Sequence, residues 1–243
     1  MIFIREGPDN FKLEETTIWS FPDRGKWATH SGKYRGNWSP YIPRNLILRY
    51  SKENDWILDQ FMGSGTTLIE AKLLKRNAIG VDINQEAVQL SNTNLNFSSH
   101  SASKIFTRQG NARDLPFIKD NSIDMICTHP PYADIIKYSN NIGGDMSHLH
   151  YSEFVSVMKE VAQESYRILK SGSICAFMMG DVREKKCVRP LGMDTMKVFI
   201  DKRFRLKEII IKEQHNCRSM VYWGNKKNSF LLLAHEYIFV LEK

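Results

Sequence analysis

The stretch Asp59-Gln60-Phe61-Met62-Gly63-Ser64-Gly65-Thr66-Thr67 constrains the fold of this chain more than any other. It follows the apolar run Trp56-Ile57-Leu58 and opens a helical pattern over 66–75. A strand that turns through two closely spaced glycines into a helix is a βα unit whose backbone can approach a ligand. The chain then reads Ala78-Ile79-Gly80-Val81-Asp82, a second strand, followed by a helix over 84–94 with Asn84 as its N-cap. Asp82 falls 17 residues after Gly65, where an acid at a strand end can bind the two hydroxyls of a ribose.

The same alternation continues. Strands are expected over 104–108, 123–128 and 174–179, and a long amphipathic helix over 152–169. A helix is expected over 191–200, then two last strands over 205–212 and 231–241 with no helix between them. Strand–helix alternation predicts an α/β fold with a mostly parallel sheet and helices on both faces. The last two strands are expected as an antiparallel pair at the sheet edge. Residues 1–45 are rich in Trp, Pro and Gly and read as irregular.

The ligand class follows from what the glycine loop lacks. No Lys follows Gly65, so it is not a nucleotide phosphate loop, and Leu68 stands where a dinucleotide fingerprint needs a third Gly or Ala. Asp59, placed before the turn, suits an amino-bearing ligand better than a pyrophosphate. These residues point to S-adenosylmethionine.

A second element follows the fourth strand, Thr128-His129-Pro130-Pro131-Tyr132. Two prolines stop the strand, fix an extended bend and leave carbonyls free to accept. Chemistry on an exocyclic amino group needs such acceptors, and Tyr132 offers a flat face on which an extruded base can stack.

The combination resembles the DNA amino-methyltransferases, which methylate adenine N6 or cytosine N4 using S-adenosylmethionine. Their D-x-F-x-G-S-G-T-T motif is matched at Asp59 to Thr67, and their [DNS]-P-P-[YFW] motif at 130–132 with a departure at His129. The closing Ala234-His235-Glu236-Tyr237-Ile238-Phe239-Val240 is similar to their terminal strand, and Trp38 to Ile47 sits where they have a first cofactor-contacting helix. The resemblance implies a Rossmann-like class I methyltransferase: a mostly parallel seven-stranded sheet with an antiparallel edge strand. It implies that Asp59, Phe61, Gly63, Ser64, Gly65, Thr66 and Thr67 wrap the cofactor's methionine part, that Asp82 holds the ribose and that Ile83 packs on the adenine. Asn111 and Ala112 would meet the adenine edge, with Asn111 accepting from its amino group, and Trp38 would complete the site. His129, Pro130, Pro131 and Tyr132 would be catalytic. At His129 a neutral imidazole can accept from the target amino group and a protonated one cannot, so activity is expected to fall as it protonates between pH 8 and 5. Thr128-His129-Pro-Pro leans towards cytosine N4 over adenine N6. Transfer would be direct, needing neither a cysteine nucleophile nor a metal; His148, His150 and Asp145 have poor metal-ligand spacing.

Charge locates the expected partner. The 243 residues carry a net +7, yet residues 182–228 alone hold thirteen Lys and Arg against five acids. A local basic surface favours a polyanion, and this motif order leaves room for target recognition there. The whole chain reads as one methyltransferase domain: 1–50 a lid and first helix, 51–181 the catalytic core, 182–230 a DNA-recognition segment and 231–243 the terminal strand. Lys185, Lys186, Arg189, Arg218, Lys226 and Lys227 are the expected DNA contacts. The basic segment itself matches no part of the resemblance.

The 42% hydrophobic content excludes a wholly disordered chain. No apolar run approaches the ~18 residues of a membrane span, and Arg5 and Glu6 interrupt the start, so a cytoplasmic protein is expected. Four scattered cysteines read as reduced thiols. The chain is expected as a monomer or homodimer, with a cognate restriction endonuclease the partner that a restriction-modification role implies. Rival readings are an RNA amino-methyltransferase, a nucleotide-dependent oxidoreductase and a non-catalytic DNA-binding subunit.

Overall fold

In the computed structural model, residues 4–140, 142–215 and 229–243 are described. The strands are β1 (Ile18–Trp19), β2 (Trp56–Asp59), β3 (Asn77–Asp82), β4 (Ile105–Gln109), β5 (Ile123–Thr128), β6 (Leu169–Met179), β7 (Val182–Glu184), β8 (Cys187–Arg189), β9 (Arg205–Glu213) and β10 (His235–Glu242). The helices are α1 (Tyr41–Tyr50), α2 (Thr66–Leu73), α3 (Gln85–Leu95), α4 (Tyr151–Ile168) and α5 (Leu191–Asp201). Eight strands form one sheet in the order β1-β9-β10-β6-β5-β2-β3-β4, and β7 and β8 form a separate hairpin.

Alternation along the strands builds two cores. Leu58, Ile126, Phe177 and Phe239 face one side with Phe154 and Met158 of α4 and Phe199 of α5. Ile57, Met125, Met178 and Ile238 face the other with Leu46 of α1, Leu68 of α2 and Val88 of α3. Side chains of successive strand residues point to opposite faces, so a sheet covered on both sides must be apolar at nearly every position. Asn84 caps α3 as expected, accepting from the Glu86 amide.

The mostly parallel sheet covered on both faces is the expected architecture, with three refinements. The two-residue β1 adds an eighth strand. The reversed strand β10 pairs antiparallel with β9, as expected, but lies between β9 and β6, leaving β9 and β1 outermost. The third concerns the described part of the basic region, 182–215, whose elements are partly core. α5 buries Leu191 and Phe199, and β9 buries Ile210, within the two cores. Burying such apolar side chains stabilises by about 1.5–3 kcal/mol each, so their basic neighbours are the solvent side of core elements. The N-terminal stretch is irregular but not peripheral: Trp19, Trp27 and Trp38 are buried. Buried Glu70 on α2 ties it down, accepting from Trp27 Nε1 (2.6 Å) and Arg44 (2.8 Å) and lying 2.7 Å from His30 Nε2.

β2 has β3 on one side and β5 on the other. Chain order reverses there, which opens a crevice at the carboxyl ends of these strands.

Candidate active site

That crevice holds a solvent-open cavity spanning ≈ 760 Å³, its open mouth included. Its floor comes from the loop after β2. Gly63 (φ +49°) and Gly65 (φ +85°) adopt left-handed conformations. A Cβ on Gly65 would lie 2.4 Å from Ser91 Oγ, and one on Gly63 would lie 2.9 Å from the Tyr34 ring. Of the residues expected around a cofactor, Trp38, Asp59, Phe61, Gly63, Thr66 and Asp82 line the cavity. So do Ile83, Asn111 and Ala112.

Ser64, Gly65 and Thr67 do not line it; their work is internal. Ser64 Oγ accepts from Asn37 Nδ2 (3.1 Å). The Thr67 hydroxyl donates to Asp59 Oδ2 (2.5 Å).

Asp59 lines the cavity as expected of a cofactor contact and is also bonded within the protein. Its Oδ1 also accepts from the Thr128 hydroxyl (2.6 Å) and the Phe61 amide (3.1 Å). Burial pushes the carboxyl up to about 6, against the pull of those three donors. Asp59 thus fastens the glycine loop to the end of β5 with most of its acceptor capacity. Asp82 remains available: Oδ2 accepts from the Gly63 amide and Oδ1 from the Asn84 amide, each at 2.9 Å. The Ile83 amide also bonds this carboxylate, which leaves it acceptor capacity for a ribose hydroxyl. Burial raises its pKa despite these amides.

Asn111 differs from the expectation. Its Oδ1 is held by the Arg113 amide (3.1 Å) and Nε (3.3 Å), so it offers the Nδ2 donor, not an acceptor. Tyr34 and Asn37, from the stretch expected as a lid, also line the cavity, as do Tyr138 and Asp145, to which sequence reasoning gave no cofactor-binding role. Tyr34 and Tyr138 stack with centroids 6.1 Å apart, so the N-terminal stretch and the segment after β5 meet over it. An acidic hydroxyl acceptor, a neighbouring apolar Ile83 and an amide donor form a set that fits a nucleoside.

The turn after β5 forms the far wall. His129 and Pro131 line the 760 Å³ cavity, whereas Tyr132 lines a second, more open one of ≈ 1770 Å³. Pro130 is buried between them. His129 stacks on Trp38 (5.4 Å, 17°). Its Nε2 lies 3.0 Å from Tyr132 Oη, which donates to Glu236 Oε1 at 2.8 Å. Burial lowers the His129 pKa to about 4, with Glu236 pulling it up and Lys212 pushing it down. The expected loss of activity between pH 8 and 5 therefore moves lower, because the ring is already neutral across that range. Burial, and then the charge of Glu236, hold the Tyr132 phenol well above its usual range.

Glu236 is a buried carboxylate beside this turn that the sequence reading passed over. Its one signal is an acid inside an apolar terminal strand. Lys212, its register partner on β9, approaches Oε2 at 3.1 Å.

Of the expected nucleic-acid contacts, Lys185 and Lys186 form the tip of the β7–β8 hairpin and line the second cavity. Arg189 is exposed on β8, pairs with Glu184 (3.0 Å) and does not line it. Arg218, Lys226 and Lys227 lie outside the described residues. His148 and His150 engage different partners, Ser139 O (2.9 Å) and Asp134 (3.0 Å). Among the described residues no helix is long and apolar enough to cross a membrane.

Comparison with known families decides the class of this arrangement. A DNA methylase family model (N6/N4 type) matches residues 5–93 and 123–243. The chain belongs to the DNA amino-methyltransferase family. The match runs through 182–243, so the basic region that the sequence reading left unmatched is part of the family's own domain. Within the curated proteins, a Type II methyltransferase, M2.LlaDCHI of Lactococcus lactis, is 45% identical over 71 residues, 29% of this chain and 25% of that protein. A tRNA (guanine(10)-N2)-dimethyltransferase of Methanothermobacter thermautotrophicus is 29% identical over 77% of this chain and 48% of that protein. The aligned stretches thus cover a quarter to a half of these relatives' lengths. A solved SAM-dependent methyltransferase from Methanosarcina mazei shares the fold, with a TM-score of 0.58 at 17% identity over 82% of this chain and 96% of that one.

Proposed function

We propose that this family member transfers a methyl group from S-adenosylmethionine to the exocyclic amino group of a base in DNA. One observation carries the reading. The His129-Pro130-Pro131-Tyr132 turn is the wall between a nucleoside-fitting cavity and a second cavity edged by Lys185 and Lys186.

Asp82 would hold the ribose hydroxyls, Asn111 and Ile83 the adenine, and the Phe61–Gly63 backbone the amino-acid part. When bound, S-adenosylmethionine supplies an electrophilic methyl group. The chain's residues orient the amine. No described residue donates to the Pro130 or Pro131 carbonyl, so these oxygens, with His129, can accept from the target NH₂ and set its lone pair towards the cofactor cavity. As the nitrogen gains positive charge, these fixed acceptors stabilise it without reorganising. Tyr132 presents its ring to the second cavity, where an extruded base would lie. Lys185 and Lys186 would contact phosphates.

A second reading, methylation of a guanine amino group in tRNA, is favoured by the tRNA dimethyltransferase, whose match spans 77% of this chain. Purified protein with methyl-labelled S-adenosylmethionine, offered duplex DNA and tRNA in parallel, separates the two. Label in DNA, with modified-base detection on DNA from expressing cells, is the expected result and distinguishes cytosine N4 from adenine N6. Label confined to tRNA rejects the DNA reading. Asp82→Asn should weaken cofactor binding by calorimetry about tenfold or more, the weight of a charge-assisted hydrogen bond.

A further inference from the structure

We propose that Glu236 is a positioning residue that sets the tautomer of His129 through Tyr132, keeping His129 Nδ1 as a bare acceptor for the target amino group. The inference rests on the catalytic reading of the His129 turn given above.

The argument is one of hydrogen counting. Glu236 is ionised: burial pushes its carboxyl up, but the Lys212 charge 3.1 Å away, with the Tyr132 hydrogen bond, outweighs it and holds the group below the usual carboxylate range. A carboxylate has no hydrogen to give. The single hydrogen of the Tyr132 hydroxyl therefore goes to Glu236 Oε1 (2.8 Å), and the phenol oxygen can only accept on its other side. There it meets His129 Nε2 at 3.0 Å, so Nε2 carries a hydrogen and donates it. A neutral imidazole with its hydrogen on Nε2 has a lone pair on Nδ1. No described residue takes that lone pair.

Each member is held. Glu236 is buried on a strand paired on both sides, with β6 and β9. Lys212 approaches Oε2 at 3.1 Å, which turns Oε1 towards Tyr132. Trp38 stacks on the imidazole face and fixes its plane. Burying an ion pair gains little stability by itself. A cross-strand Lys–Glu pair with a purely structural role has no need to spend its second oxygen on a loop 104 residues away in sequence. In a family motif that places Asp, Asn or Ser at this position, a His accepts as they do only if its tautomer is controlled, and Glu236 supplies that control.

The test exploits the polarity of the chain. In Glu236→Gln, Lys212 still donates, so the amide oxygen takes its side and the amide NH₂ faces Tyr132. The phenol must then donate to His129 Nε2, and the hydrogen moves to Nδ1. Two-bond proton–nitrogen correlation spectra of ¹⁵N-histidine-labelled protein at pH 7, with His129 assigned through His129→Asn, read the tautomer without any substrate. We expect Nε2–H in the wild type and Nδ1–H in Glu236→Gln. The variant should also lose about 100-fold in kcat, the scale of removing one preorganised hydrogen-bonding group, with KM for the cofactor unchanged. In a His129→Asn background, where an amide oxygen accepts whatever Tyr132 does, adding Glu236→Gln should change kcat less than about twofold. An Nδ1–H wild type, or a Glu236→Gln variant that keeps Nε2–H, overturns the proposal. If Glu236→Gln does not fold, Tyr132→Phe leaves the Lys212–Glu236 pair intact; there the His129 Nε2–H resonance should shift upfield and exchange with solvent, and an unchanged resonance overturns it. Expected tautomers in a protein that methylates no nucleic acid support the relay and reject the proposed substrate.

Discussion

At the scale of single residues, what a group can do is set by how many of its hydrogen-bonding positions its neighbours already occupy. Asp59 and Asp82 are both buried carboxylates at strand ends, and the sequence presents them alike. Asp59 accepts from Thr67, Thr128 and the Phe61 amide, which tie the glycine loop to β5, whereas the bonds to Asp82 come from backbone amides of the turns around it. His129 shows the same principle for protons. Burial, with Lys212 adding to it and Glu236 opposing, lowers its pKa to about 4. The sign follows directly: the neutral form accepts and the protonated form cannot, so activity is present above that pKa and lost below it. Methyl transfer with the chemical step limiting should be flat from pH 8 to about 5 and fall as pH drops through about 4. His129→Asn should remove this limb, with circular dichroism confirming that both proteins stay folded. A decline centred near pH 6.5 that His129→Asn abolishes would show an ordinary solvated imidazole, whereas one near pH 6 that survives the substitution would belong to Asp59, whose carboxyl burial pushes up to about 6.

At the scale of elements, the glycine loop and the hairpin behave differently because one is packed and the other is not. Gly65 combines a left-handed backbone with close approach to Ser91 of α3. Gly172 shares the positive φ (+75°), but nothing lies near its missing Cβ. Gly65→Ala should therefore destabilise by about 1–3 kcal/mol and lower cofactor affinity. Gly172→Ala should cost only the backbone term, about 1 kcal/mol, and leave binding unchanged. Urea unfolding and calorimetry measure both, and equal costs would show that the Ser91 contact is not what demands glycine. Most elements were legible because their signals are local. Trp56–Asp59 and Ile123–Thr128 match the expected strands residue for residue, and Asn84 caps where a capping residue was read. α5 and β9 were legible as elements but not as core, because their basic residues masked the buried stripe of Leu191, Phe199 and Ile210.

At the scale of the whole molecule, the basic excess of 182–228 divides. Part lies on the solvent side of α5 and β9, and part, Lys185 and Lys186, stands at the mouth of the second cavity. Reversing the charge of those two lysines should weaken DNA binding and reduce the slope of log affinity against log salt by about two, with cofactor affinity intact. Reversing Lys197 or Lys202, on and just after α5 and not lining the second cavity, should do much less, and equal effects would assign the binding to diffuse charge. The motifs themselves, a Gly-x-Gly turn after one strand, an acid after the next and Pro-Pro-Tyr after the fourth, announced the sheet, the end of it that opens into the crevice and the turn proposed as catalytic. They could do so because each is a local backbone requirement that a short stretch of chain expresses alone. Which side chains are free, which way the His129 proton points and that Glu236 stands behind it depended on residues more than 100 positions apart meeting across β10, β9 and the loop after β5. Proximity of that kind comes from sheet order, and no local pattern encodes it.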